Sequence, residues 1–67
     1  MKLKELLEVM EYEIPVKIET TTPNGEFIRI FTGDTGAIPF SLFRDFGDNA
    51  VEDIDMEDDG RLSILIH

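Results

Sequence analysis

Val51-Glu52-Asp53-Ile54-Asp55-Met56-Glu57-Asp58-Asp59-Gly60-Arg61-Leu62-Ser63-Ile64-Leu65-Ile66 decides how this chain folds. Asp58-Asp59-Gly60 carries turn chemistry: aspartates bond their own backbone, and glycine accepts the positive φ of a tight reversal. Glu52–Met56 forms the incoming arm and the almost wholly apolar Leu62–Ile66 the outgoing one. The pattern predicts a β-hairpin. Its rim is strongly negative, because eight of the fifteen acids fall between Asp45 and Asp59.

Toward the N-terminus, Gly33-Asp34-Thr35-Gly36 reads as a turn. After it, Ile38, Leu42, Phe43 and Phe46 approximate helical spacing, with Pro39 near the start and Gly47 at the stop, which predicts one or two turns of helix. Ile14, Val16 and Ile18 alternate with Pro15, Lys17 and Glu19, and Pro23-Asn24-Gly25 joins that strand to Glu26–Thr32 in another hairpin. The second strand is apolar on both sides, Ile28 and Ile30 against Phe27 and Phe31, so it is expected at the centre of a sheet or in an interface. Leu3, Leu6, Leu7 and Met10 fall at helical spacing, and Pro15 forbids continuation of that helix. The expected fold is therefore α+β. An N-terminal helix and a short helical turn pack on one face of a four-stranded, mainly antiparallel sheet built from two hairpins.

Sixty-seven residues allow one small domain, expected over residues 1–67. There is no cysteine, so neither a disulfide nor a thiolate metal cluster is available. Six Lys/Arg against fifteen Asp/Glu give a net charge of −9, which repels nucleic acid and anionic lipid and favours basic partners and divalent cations. With 42% apolar residues the chain is expected to fold rather than act as an acidic tail. The charged first residues are no signal peptide, and no apolar run is long enough for a membrane span, so the expected location is cytoplasmic.

Three constellations carry candidate chemistry. Asp34-Thr35-Gly36-Ala37 resembles the catalytic loop of aspartic proteases, where two carboxylates share a proton. The likeness stops at four residues, and the flap and second apolar strand those enzymes need are missing, so the stretch reads as an ordinary turn. Asp55, Glu57 and Asp59, followed by Gly60 and Leu62, resemble the front of an EF-hand calcium loop. Ile66 stands where the bidentate glutamate belongs, and the flanks read as strands, so these three acids are candidates for weak calcium binding only. Asp53, Asp55 and Glu57 share one face of an extended strand at roughly 6.6 Å spacing, a row able to bind a basic partner or to imitate a phosphate backbone.

Asp53, Asp55, Glu57, Asp58 and Asp59 are accordingly the candidate interaction residues, with Phe27 and Phe31 as an apolar alternative. No nucleophile–base pair is evident: His67 is the only histidine and is expected to fray, and the single Tyr12 is expected to pack at the end of the first helix. No cofactor and no small-molecule substrate is implied. A homodimer is expected because small cores commonly need such support, formed through the face bearing Phe27, Phe31 and Leu65 or the edge near Leu62–Ile66.

The layout resembles a loose group of small uncharacterised proteins from phages, conjugative elements and gut Firmicutes. The resemblance rests on Lys4-Glu5-Leu6-Leu7-Glu8-Val9-Met10, Val16-Lys17-Ile18, Ile38-Pro39, the Leu42-Phe43 pair, Val51-Glu52-Asp53-Ile54 and the closing apolar strand. It implies a compact accessory protein of a mobile element and lends no catalytic or binding residue. The chain is thus expected to be a non-enzymatic interaction protein with a protein partner, the alternatives being an acidic nucleic-acid mimic and a weak calcium-binding module.

Overall fold

A computed structural model describes every residue from Met1 to His67. Along the chain come α1 (Leu3–Val9), β1 (Pro15–Thr21), β2 (Phe27–Asp34), a 3-10 turn (Thr35–Ala37), α2 (Phe40–Phe46), β3 (Val51–Met56) and β4 (Leu62–Ile66). The α+β expectation holds, with two hairpins, β1–β2 and β3–β4, in one four-stranded sheet.

The order of the strands differs from the sequence reading. It is β2-β1-β4-β3, with β1 and β4 paired in parallel at the centre. β2, expected at the centre of a sheet or in an interface, is an edge; β4, expected to offer an edge, is central. The reason lies in burial. Ile64 and Ile66 are fully buried, and Leu65 on the opposite face is half-buried, so β4 has apolar side chains on both faces while β2 leaves Phe27 and Ile28 exposed. The central place shields the β4 side chains between two neighbouring strands, and the edge falls to the strand whose side chains are more exposed.

Pairing fixes which side chains share a face. Ile18 lies opposite Phe31 on one side and Ile64 on the other, and Ile64 opposite Ile54. Leu3, Leu7 and Leu42 from the helices close over Val16, Ile18, Ile64 and Ile66 to form the core. On α1 the buried positions are Leu3 and Leu7, four apart, as one helical stripe requires. The Lys2 backbone N–H donates to the Glu5 carboxylate at 2.8 Å, supplying part of a capping box at the helix start. At the far end Glu13 sits at φ 68, a left-handed turn residue that sends the chain into β1. Gly47 ends α2 and lies buried where α1 begins, with the Lys4 N–H donating to its carbonyl at 2.9 Å. A Cβ there would strike the Phe43 carbonyl of α2 itself, while the Lys4 Cβ of α1 would lie at ordinary contact, 3.4 Å away, so it is the close turn at the end of α2 that needs glycine.

Two one-residue bulges interrupt the alternation. In β2 the partner of Ile18 is Phe31 and that of Glu19 is Arg29, so Ile30 is the extra residue; in β3 the extra residue is Glu52. Phe27 and Phe31 therefore do not share a face, contrary to the sequence reading. Phe31 sits opposite Ile18 and packs against the core, whereas Phe27 lies opposite Thr21 on the open face. No helix is long and apolar enough to cross a membrane.

Candidate functional site

The open face of the sheet has no helix over it. Its side chains follow from the register: Lys17 lies beside Thr32 and Ser63, Glu19 beside Arg29 and Leu65, and Asp55 and Asp53 complete those rows from β3. The Glu57 N–H donates to the Arg61 carbonyl just beyond the last strand pair, and its side chain reaches Lys17. Asp53, Asp55 and Glu57 thus do line one side of β3, as the alternation predicts.

Their states differ. The Glu57 carboxylate forms an ion pair with Lys17, whose ammonium also lies 3.8 Å from Glu19. The hydrogen bond that Lys17 donates to Glu57, reinforced by the Glu19 charge against some desolvation, holds the Lys17 pKa above the usual lysine range. The Asp55 side chain accepts the Met56 N–H at 2.9 Å, and Asp59 accepts the Arg61 N–H at 2.9 Å inside the turn. The Asp53 and Asp58 side chains make no hydrogen bond or ion pair within the chain.

The calcium candidates are not brought together. Asp55, Glu57 and Asp59 each serve a separate local partner, and no cluster of three acidic or histidine side chains converges on a point able to hold a cation. An extended strand spaces same-face side chains roughly 6.6 Å apart along a line, whereas a calcium loop wraps its ligands inward around one centre. The protease-like stretch has a structural use instead. Thr35 Oγ1 donates to the Glu11 carbonyl at 2.6 Å and accepts the Ile14 N–H at 3.2 Å, while the Thr35 N–H donates to the Ile14 carbonyl at 3.0 Å. Asp34 is exposed at the end of β2, opposite Pro15.

Topology does what local sequence could not. Pro15 at the start of β1 faces Asp34 at the end of β2, Val16 faces Leu62 at the start of β4, and Leu62 faces Met56 at the end of β3. The 10–14 loop, the 34–38 segment and the 57–60 turn therefore leave the sheet at one end. Glu11, Glu13, Asp34, Glu57, Asp58 and Asp59 gather there, and α1 brings Glu8 to the same end. Only two bases accompany them, Lys17, paired with Glu57, and Arg61, 4.0 Å from Asp59. A groove of about 370 Å³ opens between α1, α2, the 10–14 loop and the 34–38 segment, lined by Leu7, Glu8, Met10, Tyr12, Thr35, Ile38 and Phe43. Tyr12, expected to pack away, is 82% exposed and lays its ring over Gly36.

The opposite end carries the ion pairs of the helical layer. Lys4 lies 2.9 Å and Lys2 3.7 Å from the Asp48 carboxylate. The Lys4 hydrogen bond and charge, with a smaller contribution from Lys2, hold Asp48 below the usual carboxylate range. A depressed acid stabilises the fold above its ordinary pKa and loses that contribution as the pH falls through the depressed value. Asp48→Asn should therefore lower the melting temperature at pH 7, with the gap to the parent chain closing as the pH falls below the ordinary carboxylate range. His67, expected to fray, is held: its N–H donates to the Ala50 carbonyl at 2.9 Å, its own carbonyl accepts from Asn49 at 2.7 Å, and Nδ1 lies 2.8 Å from Glu52.

No protein-family model, no curated protein and no solved structure matches this chain.

Proposed function

We propose that this chain is a non-catalytic interaction protein that docks a basic protein partner on β3 and the turn that follows it. The observation that carries this reading is the acidic edge: Glu52, Asp53, Asp55, Asp58 and Asp59 stand exposed along the one border of the sheet dominated by carboxylates, and Asp53 and Asp58 have no partner within the chain. Charges on an edge strand also discourage pairing with further strands, so the edge favours a partner that meets it through side chains. The row formed by Asp53, Asp55 and Glu57 supports a second reading, an acidic mimic that occupies the basic cleft of a nucleic-acid-binding protein.

Capture of partners from a bacterial lysate by the parent chain and by an Asp53→Asn, Asp55→Asn, Asp58→Asn variant separates charge from apolar docking. The expected result is a basic protein retained at 50 mM salt, released by 0.5 M salt, where screening lengths shrink to several Å, and absent from the variant. Retention that ignores both salt and the substitutions would refute the acidic-edge reading. Displacement of the captured protein by DNA favours the mimic.

Within this proposal the protein is cytoplasmic and accessory to a phage or related mobile element, as the layout of its sequence implies. Self-association belongs to β2, because β4 has no free edge and Phe27, 66% exposed, lies at the β2 border. Light scattering should give twice the mass of one chain, a value that Phe27→Ser reduces; a single-chain mass at high concentration removes the dimer.

A further inference from the structure

We propose that the groove between α1, α2 and the 34–38 segment takes one lysine or arginine side chain from a basic partner protein. It rests on the reading that the partner is basic, but it assigns a different surface from the β3 edge and is tested without the partner. Size comes first. About 370 Å³ is at the small end of ligand pockets, room for one long side chain rather than a helix. Leu7, Met10, Ile38 and Phe43 offer apolar surface along which the methylene stem of such a side chain can lie.

The rim decides the charge. Glu8 lines the groove, is exposed and is in no ion pair, and the last turn of α1 contains no basic residue. The Tyr12 ring, held on one side by Gly36 and otherwise exposed, presents an aromatic face suited to a cation. Glu11, Glu13 and Asp34 surround the same end, and no lysine or arginine lines the groove. An apolar floor with an acidic, aromatic rim matches an amphipathic cation and disfavours an anion or a purely apolar group. Thr35 takes no part, because its hydroxyl is already engaged by Glu11 and Ile14.

The test is an amide-shift titration of the isotopically labelled chain with Nα-acetyl-arginine amide, run beside neutral Nα-acetyl-norleucine amide. Saturating shifts are expected at Met10, Tyr12 and Ile38 with the arginine probe. Glu8→Gln, a change at an exposed position, should weaken that binding about fivefold, the equivalent of about 1 kcal/mol. Asp53→Asn with Asp55→Asn should leave it unchanged, which keeps this result separate from the β3 edge. Equal binding of the neutral probe, shifts confined to 53–59, or indifference to Glu8→Gln would each overturn the assignment.

Discussion

Ile64→Ala should leave a large fraction of the chain unfolded at 25 °C in the absence of denaturant. Ile64 is fully buried at the middle of β4 and lies between Ile18 and Ile54, so its side chain touches both halves of the sheet. Truncating such a residue costs about 2–5 kcal/mol, the lost transfer energy plus the cavity left behind. A chain of this length has only about 3–10 kcal/mol of total stability to lose, at about 0.05–0.15 kcal/mol per residue. The seven-residue apolar core offers little chance of collapse into the void. Ile64→Val removes one methylene, should cost about 0.5–1.5 kcal/mol, and should stay folded. Urea titrations followed by circular dichroism give both values, and an alanine variant as stable as the parent would show that Ile64 is not at the centre of the core.

Thr35→Val should cost about 1–3 kcal/mol, although it keeps the shape of the side chain. The methyl that replaces the hydroxyl can neither donate to the Glu11 carbonyl nor accept the Ile14 N–H, and the second of these bonds is partly buried. Those two contacts clamp the loop between α1 and β1 onto the start of the 3-10 turn. Thr35→Ser retains the hydroxyl and should recover most of the loss. Faster hydrogen exchange at Ile14 in the valine variant, restored by serine, distinguishes the lost clamp from a general loosening. If the valine variant is as stable as the parent while serine is destabilised, the methyl group matters and the hydroxyl does not.

How far the sequence could be read depended on the range of the interaction. Both hairpins were legible because Pro23-Asn24-Gly25 and Asp58-Asp59-Gly60 announce themselves locally, and Gly25 and Gly60 adopt φ values of 85 and 86. The helices were legible from the spacing of Leu3 and Leu7 and from Pro39 before Phe40. Strand order was not, since the β1–β4 pairing joins residues 46 apart and leaves no mark in either turn. One signal was available: Leu62–Ile66, apolar on both faces, has the composition of a central strand. Phe31 was assigned to the wrong side because a single bulged residue, Ile30, reverses the face of everything beyond it.

The candidate site divides in the same way. Acids exposed along β3 could be read from alternation alone, because no charge so placed survives on a core face. The engagement of Glu57 by Lys17 could not, since it depends on β1 lying next to β4. The groove was invisible for the same reason: Met10, Ile38 and Phe43 meet only after the sheet is assembled.

The side-by-side alignment of β1 and β4 also bears on the order of events as the chain folds. Each hairpin closes a short loop and can form early, but neither is stable alone in water. Joining them means bringing together segments separated by most of the polypeptide, and the entropy of that search is spent before the contacts repay it. The slow step is therefore the meeting of the two ribbons. Its rate belongs to the interior side chains along their seam, while the reversals at Gly25 and Gly60 govern how readily each ribbon is ready to meet the other.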